Sequence, residues 1–244
     1  MSSGYIAVLD SGIGGISVLY ELEKVFPFEQ FLYFGDNQNA PYGNRSRQNL
    51  LSLAIHNINI IKKYPVKILV LACNTLSVNL ISEIKEYSNL PVFGVFPPVE
   101  SCLLSGKKTI LLSTVKTSKK YKSNNRFLSV GFYDLASEIE SNLFCLNKVD
   151  FLSSKTNINL DIYKCKKGEF ENVIIGCTHY NFIKTQIFNH FQPQNLLDGT
   201  SNLISQMKNI IKEPKSSVKP YKNKVLFIGK NAKINELFYV KGGR

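Results

Sequence analysis

Two short runs constrain this chain more than anything else in it. Leu69-Val70-Leu71-Ala72-Cys73-Asn74-Thr75 and Val173-Ile174-Ile175-Gly176-Cys177-Thr178-His179 are apolar and rich in β-branched residues, and each stops at a cysteine followed by polar side chains. Uninterrupted apolar runs of this kind read as strands buried on both faces, as in parallel sheets covered by helices. In open α/β sheets, ligands sit in the crevice beyond the carboxyl ends of the strands. Both thiols are therefore expected at ligand-binding positions, and the remaining sequence reads as a scaffold that brings them together.

The flanking sequence fits that scaffold. Tyr5 to Leu9 is another buried run, which enters Asp10-Ser11-Gly12-Ile13-Gly14-Gly15 and then a helix from about Ile16 to Lys24, closed by Pro27. A strand from Gln30 to Phe34 ends at Gly35-Asp36. Pro41-Tyr42-Gly43 forms a turn, and Ser46 caps a helix that runs to about Lys63, ahead of Pro65. After Cys73 the spacing predicts a helix from about Leu76 to Tyr87 and a strand from Pro91 to Val95. This alternation implies a parallel sheet.

The pattern restarts after Phe96-Pro97-Pro98. A strand from Lys108 to Leu112 reaches Ser113-Thr114, with Thr117 close by. Phe127 to Phe132 reads as a strand and Leu135 to Leu143 as a helix, while 147–170 reads as loop with one helix. Beyond Cys177 come a helix from about Phe182 to Phe191, a strand from Asn195 to Leu197 and a helix from Ser201 to about Lys212. Glu213 to Asn223 reads as an exposed linker, Val225 to Gly229 as a last strand, and the tail as helical to Val240. The expected fold class is α/β: two similar three-layer domains with mostly parallel sheets, related by a pseudo-two-fold. The expected division is residues 1–96 plus 206–244 for the N-terminal domain and 97–205 for the second.

Composition narrows the function classes. The formal charge is +12, yet the lysines are spread along a chain also rich in asparagine and isoleucine. That argues for compositional bias and against nucleic acid as the partner. No apolar run reaches the roughly 18–20 residues a membrane crossing needs, and no basic-then-hydrophobic leader follows Met1, so the expected location is cytoplasmic. The five cysteines are odd in number, irregularly spaced and without a CxxC pair. Neither a disulfide framework nor a structural zinc site is expected. Cys102, Cys145 and Cys165 read as plain thiols.

The loop at Asp10 admits two readings. Gly12, Gly14 and the downstream Asp36 resemble part of a dinucleotide-binding fingerprint, but the third glycine is replaced by Ser17, and Asp10 would repel a pyrophosphate. The same glycines would let backbone approach a small ligand. Asp10, Thr75 and Thr178 could also serve only as helix caps, and Tyr42 only as packing.

Paired thiols suit a symmetric reaction. Racemisation needs a base on one face of a carbon and an acid on the other, and reversal swaps their roles. A thiol of ordinary pKa about 8.5 can do either. The amides of a following helix favour the thiolate and would bind a carboxylate.

Asp10-Ser11-Gly12-Ile13-Gly14-Gly15, Pro41-Tyr42-Gly43, Ala72-Cys73-Asn74-Thr75 and Gly176-Cys177-Thr178-His179-Tyr180 together resemble the cofactor-independent glutamate racemases of bacteria, in order along nearly the whole chain. The resemblance implies two α/β domains with the site in the cleft between them, no cofactor and no metal. It implies that Cys73 and Cys177 are the proton donors and acceptors, with Asp10 assisting the first and His179 the second. Asp10, Ser11, Pro41, Tyr42, Gly43, Asn74, Thr75, Thr114, Thr178 and His179 would line the L-/D-glutamate site, and Asp36, Glu140 and Thr117 would support it. The D-glutamate would supply peptidoglycan. A homodimer is left open. An aspartate or other amino-acid racemase is the nearest alternative, and a basic nucleic-acid-binding or regulatory protein the alternative of another class. Two positions depart from the family pattern: Leu76 stands where alanine is usual and Asn181 where proline is usual.

Overall fold

A computed structural model of the protein describes residues 4–144, 165–211, 222–228 and 234–240. The expected helix within 147–170, Cys145 and most of the expected linker lie outside the described residues. The first half alternates strand and helix as β1 (Tyr5–Asp10), α1 (Ile16–Val25), β2 (Gln30–Gly35), α2 (Arg47–Ile61), β3 (Val66–Leu71), α3 (Asn74–Ser88) and β4 (Val92–Gly94). It continues through α4 (Val99–Leu104), β5 (Thr109–Thr114), α5 (Val115–Ser118), β6 (Phe127–Phe132) and α6 (Leu135–Phe144). The last part holds β7 (Asn172–Gly176), α7 (Lys184–Phe191), β8 (Asn195–Asp198), α8 (Thr200–Lys208), β9 (Lys222–Ile228) and β10 (Ile234–Val240).

The strands form two sheets, ordered β10-β9-β2-β1-β3-β4 and β6-β5-β7-β8. All pairings are parallel except β9 with β10. The expected helical tail is corrected here: Ile234–Val240 pairs antiparallel with β9 along its whole length. Edge pairing overrides a weak helical preference in a segment containing Phe238, Tyr239 and Val240. The short helix α4 after Pro98 was also not expected.

Burial explains why the central runs lack polar alternation. In the first sheet, Ala7, Leu9, Leu69 and Leu71 face one helical layer, and Ile6, Val8, Ile68 and Val70 face the other. Both sets are buried, so every position must be apolar. In the second sheet Ile110, Leu112, Val173 and Ile175 face one side, and Leu111 and Ile174 the other. Local signals set the helix ends. Ser46 Oγ accepts the Asn49 amide at 3.1 Å to start α2, and Asn89 adopts a left-handed φ of 54° to end α3.

Leu203, Met207 and Ile211 pack with Ile6 and Val8, so α8 covers the first sheet. We propose that residues 1–96 form one lobe together with the segment that returns through α8, and 97 up to the start of α8 the other, since Leu203 already packs on the first sheet. No helix among the described residues is long and apolar enough to cross a membrane.

Each sheet has one point where the winding reverses. β1 lies between β2 and β3, and β5 lies between β6 and β7. Crevices open at such switch points, at the carboxyl ends of the strands. Leu9 pairs with Leu71, so Asp10-Ser11 and Ala72-Cys73 emerge side by side. Ser113 pairs with Gly176, which brings Thr114 next to Cys177. The two crevices face each other.

Candidate active site

The facing crevices make one cleft of about 250 Å³. Ser11, Pro41, Tyr42, Gly43, Cys73, Asn74 and Thr75 line it from the first lobe, and Thr114, Ala136, Cys177, Thr178 and His179 from the second. Asp10, Asp36, Thr117 and Glu140 stand behind this lining. Ala136 carries no functional group and gave no sequence signal.

The two thiols sit in different electrostatic settings. Cys73 is the N-terminal residue flanking α3 and is 4% exposed. Its Sγ lies 3.8 Å from Ser11 Oγ. Burial, and then the nearby charge of Asp10, push its thiol up to about 12, against the opposing pull of the Leu76 amide in the first helical turn. Charge on Cys177 acts in the same upward direction, so the two sulfurs sense each other.

The expectation of a helix directly after each cysteine holds only for Cys73. Cys177 is followed by a 3₁₀ segment, Thr178–Ile183, before α7 begins. A short 3₁₀ turn supplies little dipole. The positive group beside Cys177 is instead His179, whose Nδ1 lies 3.9 Å from Sγ. Burial alone would lower the imidazole's pKa. Its contacts with Cys177 and with Glu140, which meets Nε2, outweigh this and hold His179 well above its ordinary value. Both ring nitrogens of an imidazolium donate, which matches one acceptor on each side. An imidazolium there places positive charge beside the Cys177 sulfur.

Asp10 is fully buried at the end of β1 and contacts both lobes. Its Oδ2 accepts the Gly15 amide at 3.0 Å and the Gly12 amide at 3.3 Å, and Thr178 Oγ1 donates to its Oδ1 at 3.3 Å. Burial raises its pKa, while His179 and the two amides pull the other way. This argues against the dinucleotide reading, because the Gly12 and Gly15 amides already serve Asp10 and the Ile13 amide serves Glu140. A Cβ at Gly14 would land on the Thr178 hydroxyl and the His179 backbone, and one at Gly43 on Thr114. Here the glycines allow one lobe to approach the other.

Asp36 acts one layer further back. Its Oδ2 accepts the Tyr42 hydroxyl at 2.5 Å and Asn57 Nδ2 at 3.1 Å, and Asn57 also donates to Tyr42 at 2.9 Å. This buried network fixes Tyr42 in the cleft wall. Thr75 Oγ1 meets Thr114 Oγ1 at 3.1 Å and Thr117 Oγ1 at 3.5 Å, a hydroxyl cluster joining the lobes. Among the other histidines, His56 is exposed on α2 and His190 sits at the end of α7.

The chain is 32% identical over 215 residues to a glutamate racemase of Clostridium acetobutylicum, covering 83% of this chain and 82% of that protein. The chain belongs to the glutamate racemase family. As a glutamate racemase homologue it is an isomerase. No family model matches it. Its fold is similar to that of Escherichia coli glutamate racemase in complex with L-glutamate and the activator UDP-MurNAc-Ala, with a TM-score of 0.76 and 20% identity over 93% of this chain and 90% of that one. Francisella tularensis glutamate racemase in complex with D-glutamate gives a TM-score of 0.68 and 23% identity over 94% and 89%. At such identities the likeness establishes the two-domain α/β fold.

The two departures from the glutamate racemase pattern find structural places. Leu76 is fully buried against the first sheet's core. Asn181 Nδ2 donates to Ser17 Oγ at 3.3 Å, adding a polar tie between the 3₁₀ segment and α1.

Proposed function

We infer that this glutamate racemase homologue interconverts L- and D-glutamate by a two-thiol mechanism. The observation that carries the reading is that Cys73 and Cys177 enter one small cleft from the switch points of two different sheets. The unequal settings of the thiols supply an acid and a base at once. In one direction Cys177, beside the cationic His179, acts as the base and its thiolate removes the Cα proton. The C–H electron pair stays on the substrate as a carbanion stabilised by its carboxylate. Cys73, held protonated by burial and Asp10, returns a proton to the opposite face. The product state has a thiol on Cys177 and a thiolate on Cys73, from which the opposite enantiomer is converted back.

Asn74, Thr75 and the first-turn amides of α3 suit one substrate carboxylate. Ser11, Tyr42, Gly43, Thr114 and Thr178 supply the remaining polar lining, and Asp36, Thr117 and Glu140 act from behind. The product D-glutamate feeds peptidoglycan synthesis, cell-wall building and cell shape from the cytoplasm. Purified protein offered either enantiomer is expected to drive circular dichroism to zero, with solvent deuterium entering Cα. Silence on glutamate but turnover of aspartate would replace the substrate, and silence on both would end the reading.

The raised Cys73 thiol also predicts a pH dependence of stability. In the unfolded chain this thiol ionises in the ordinary thiol range, about 8.5 to 9, whereas the native protein holds the proton to about 12. Between those values unfolding releases a proton, so stability from this group is complete below the lower value and is lost as pH rises towards the higher. Urea unfolding midpoints are expected to fall above about pH 9 and to fall less in Cys73→Ser. Equal slopes in the two proteins would contradict the burial argument.

A further inference from the structure

Glu140 lies on α6 in the second lobe and is 8% exposed. Two of its three partners come from the first lobe. The Ile13 amide donates to Oε2 at 3.1 Å, and Asn37 Nδ2 donates to Oε1. The third partner is the His179 imidazole, again on Oε2. Asn37 follows Asp36 in the loop after β2, is half-buried, and leaves its own Oδ1 buried without a partner. A Cβ at Gly12 would meet the Glu140 carboxylate at 2.5 Å, so the loop approaches Glu140 as closely as backbone can.

We propose that Asn37 is a positioning residue, which reaches across the cleft to keep Glu140 ionised against His179 and thereby sets the charge state of Cys177. The argument is electrostatic. A buried carboxylate is stable as an anion only when donors meet its lone pairs. Glu140 and His179 can exist as an ion pair or, after one proton shift, as a neutral pair. Each donor on the carboxylate favours the charged arrangement. Removing Asn37 leaves Oε1 without that donor and tips the pair towards neutrality. His179 then offers Cys177 no cation, and the thiolate loses its stabiliser. Asp10 is coupled to Glu140 by charge, and its carboxylate opposes added negative charge there and reinforces the need for donors, whereas the Tyr33 phenol, raised well above its ordinary value, stays neutral.

Because Asn37 and Glu140 belong to different lobes, the contact ties one lobe to the other across the cleft. For its effect on turnover this inference rests on the two-thiol reading; for the charge state of Cys177 it does not.

The test uses substrate-free full-length protein. Cys177 ionisation is read as ultraviolet thiolate absorbance across a pH titration, differenced against the same chain carrying Cys177→Ser. Asn37→Ala is expected to move the Cys177 midpoint upward by about one pH unit and to lower kcat about tenfold with little change in KM. Asn37→Gln, which keeps an amide donor, should recover most of both. An unmoved midpoint in Asn37→Ala overturns the proposal, as does an equal shift in both variants. If Asn37→Ala does not fold, Asn37→Ser carries the same expectation and the same refutation. If wild-type protein shows no racemisation while the midpoint still shifts, the functional reading falls and this inference stands.

Discussion

Replacing either Cys73 or Cys177 with serine is expected to reduce racemisation of glutamate by about 10²- to 10⁴-fold, the usual worth of a positioned acid or base. The reason lies in the reaction's symmetry. Each turnover removes a proton on one side and returns one on the other, so each direction needs both groups. A serine hydroxyl is far too weak an acid to supply the proton and ionises far too reluctantly to remove one. Both thiols are almost fully buried, at 4% and 6% exposure, and serine fills nearly the same space. The fold should therefore survive, and KM should move much less than kcat. The double variant should be little worse than either single one, because groups that act as a unit are not additive. Circular dichroism of glutamate solutions, starting from each enantiomer, provides the measurement. Turnover within a few-fold of wild type in either single variant would remove that cysteine from the proton path and leave the paired setting of the thiols without a purpose.

How much of this could be read from the amino acids alone follows from where the information is stored. The strands carrying Cys73 and Cys177 were legible because burial on both faces forces an unbroken apolar run, and the cysteines mark where that run stops. The capping of α2 by Ser46 was legible because an N-cap is a contact between near neighbours. Asn37 gave no signal. Its partner is 103 residues away in the chain, and an asparagine after Gly35-Asp36 is equally at home in any turn. Asn57 was hidden in the same way, a polar residue in a helix whose role appears only when α2 lies over Asp36 and Tyr42. The tail at Ile234–Val240 was misread as helix because its final state depends on a pairing edge elsewhere. The glycines at 12 and 14 were seen as a place of close approach, but the approaching body is Glu140 and Thr178 of the opposite lobe. Local rules therefore reveal strands and caps, while contacts between lobes depend on the assembled fold.

That last contact yields the second large effect. Gly14→Val is expected to cost at least about 10²-fold in turnover, the scale of penalty for displacing reacting groups by about 1 Å. The added side chain would occupy the space of the Thr178 hydroxyl and the His179 amide and Nδ1. None of these can yield cheaply. Thr178 Oγ1 is hydrogen-bonded to Asp10, and the His179 ring is held between Cys177 and Glu140. The strain is most easily relieved by opening the lobes, which separates Asp10 from Thr178 and draws Glu140 away from Ile13. Each lobe keeps its own sheet and core, so the variant should retain the far-ultraviolet spectrum of the wild type. Its radius of gyration from small-angle scattering should be larger. Gly14→Ala, with less to accommodate, should fall between. A Gly14→Val protein with wild-type turnover would mean that the lobes need not approach this closely for proton transfer, and that the two thiols can serve one carbon across a wider gap.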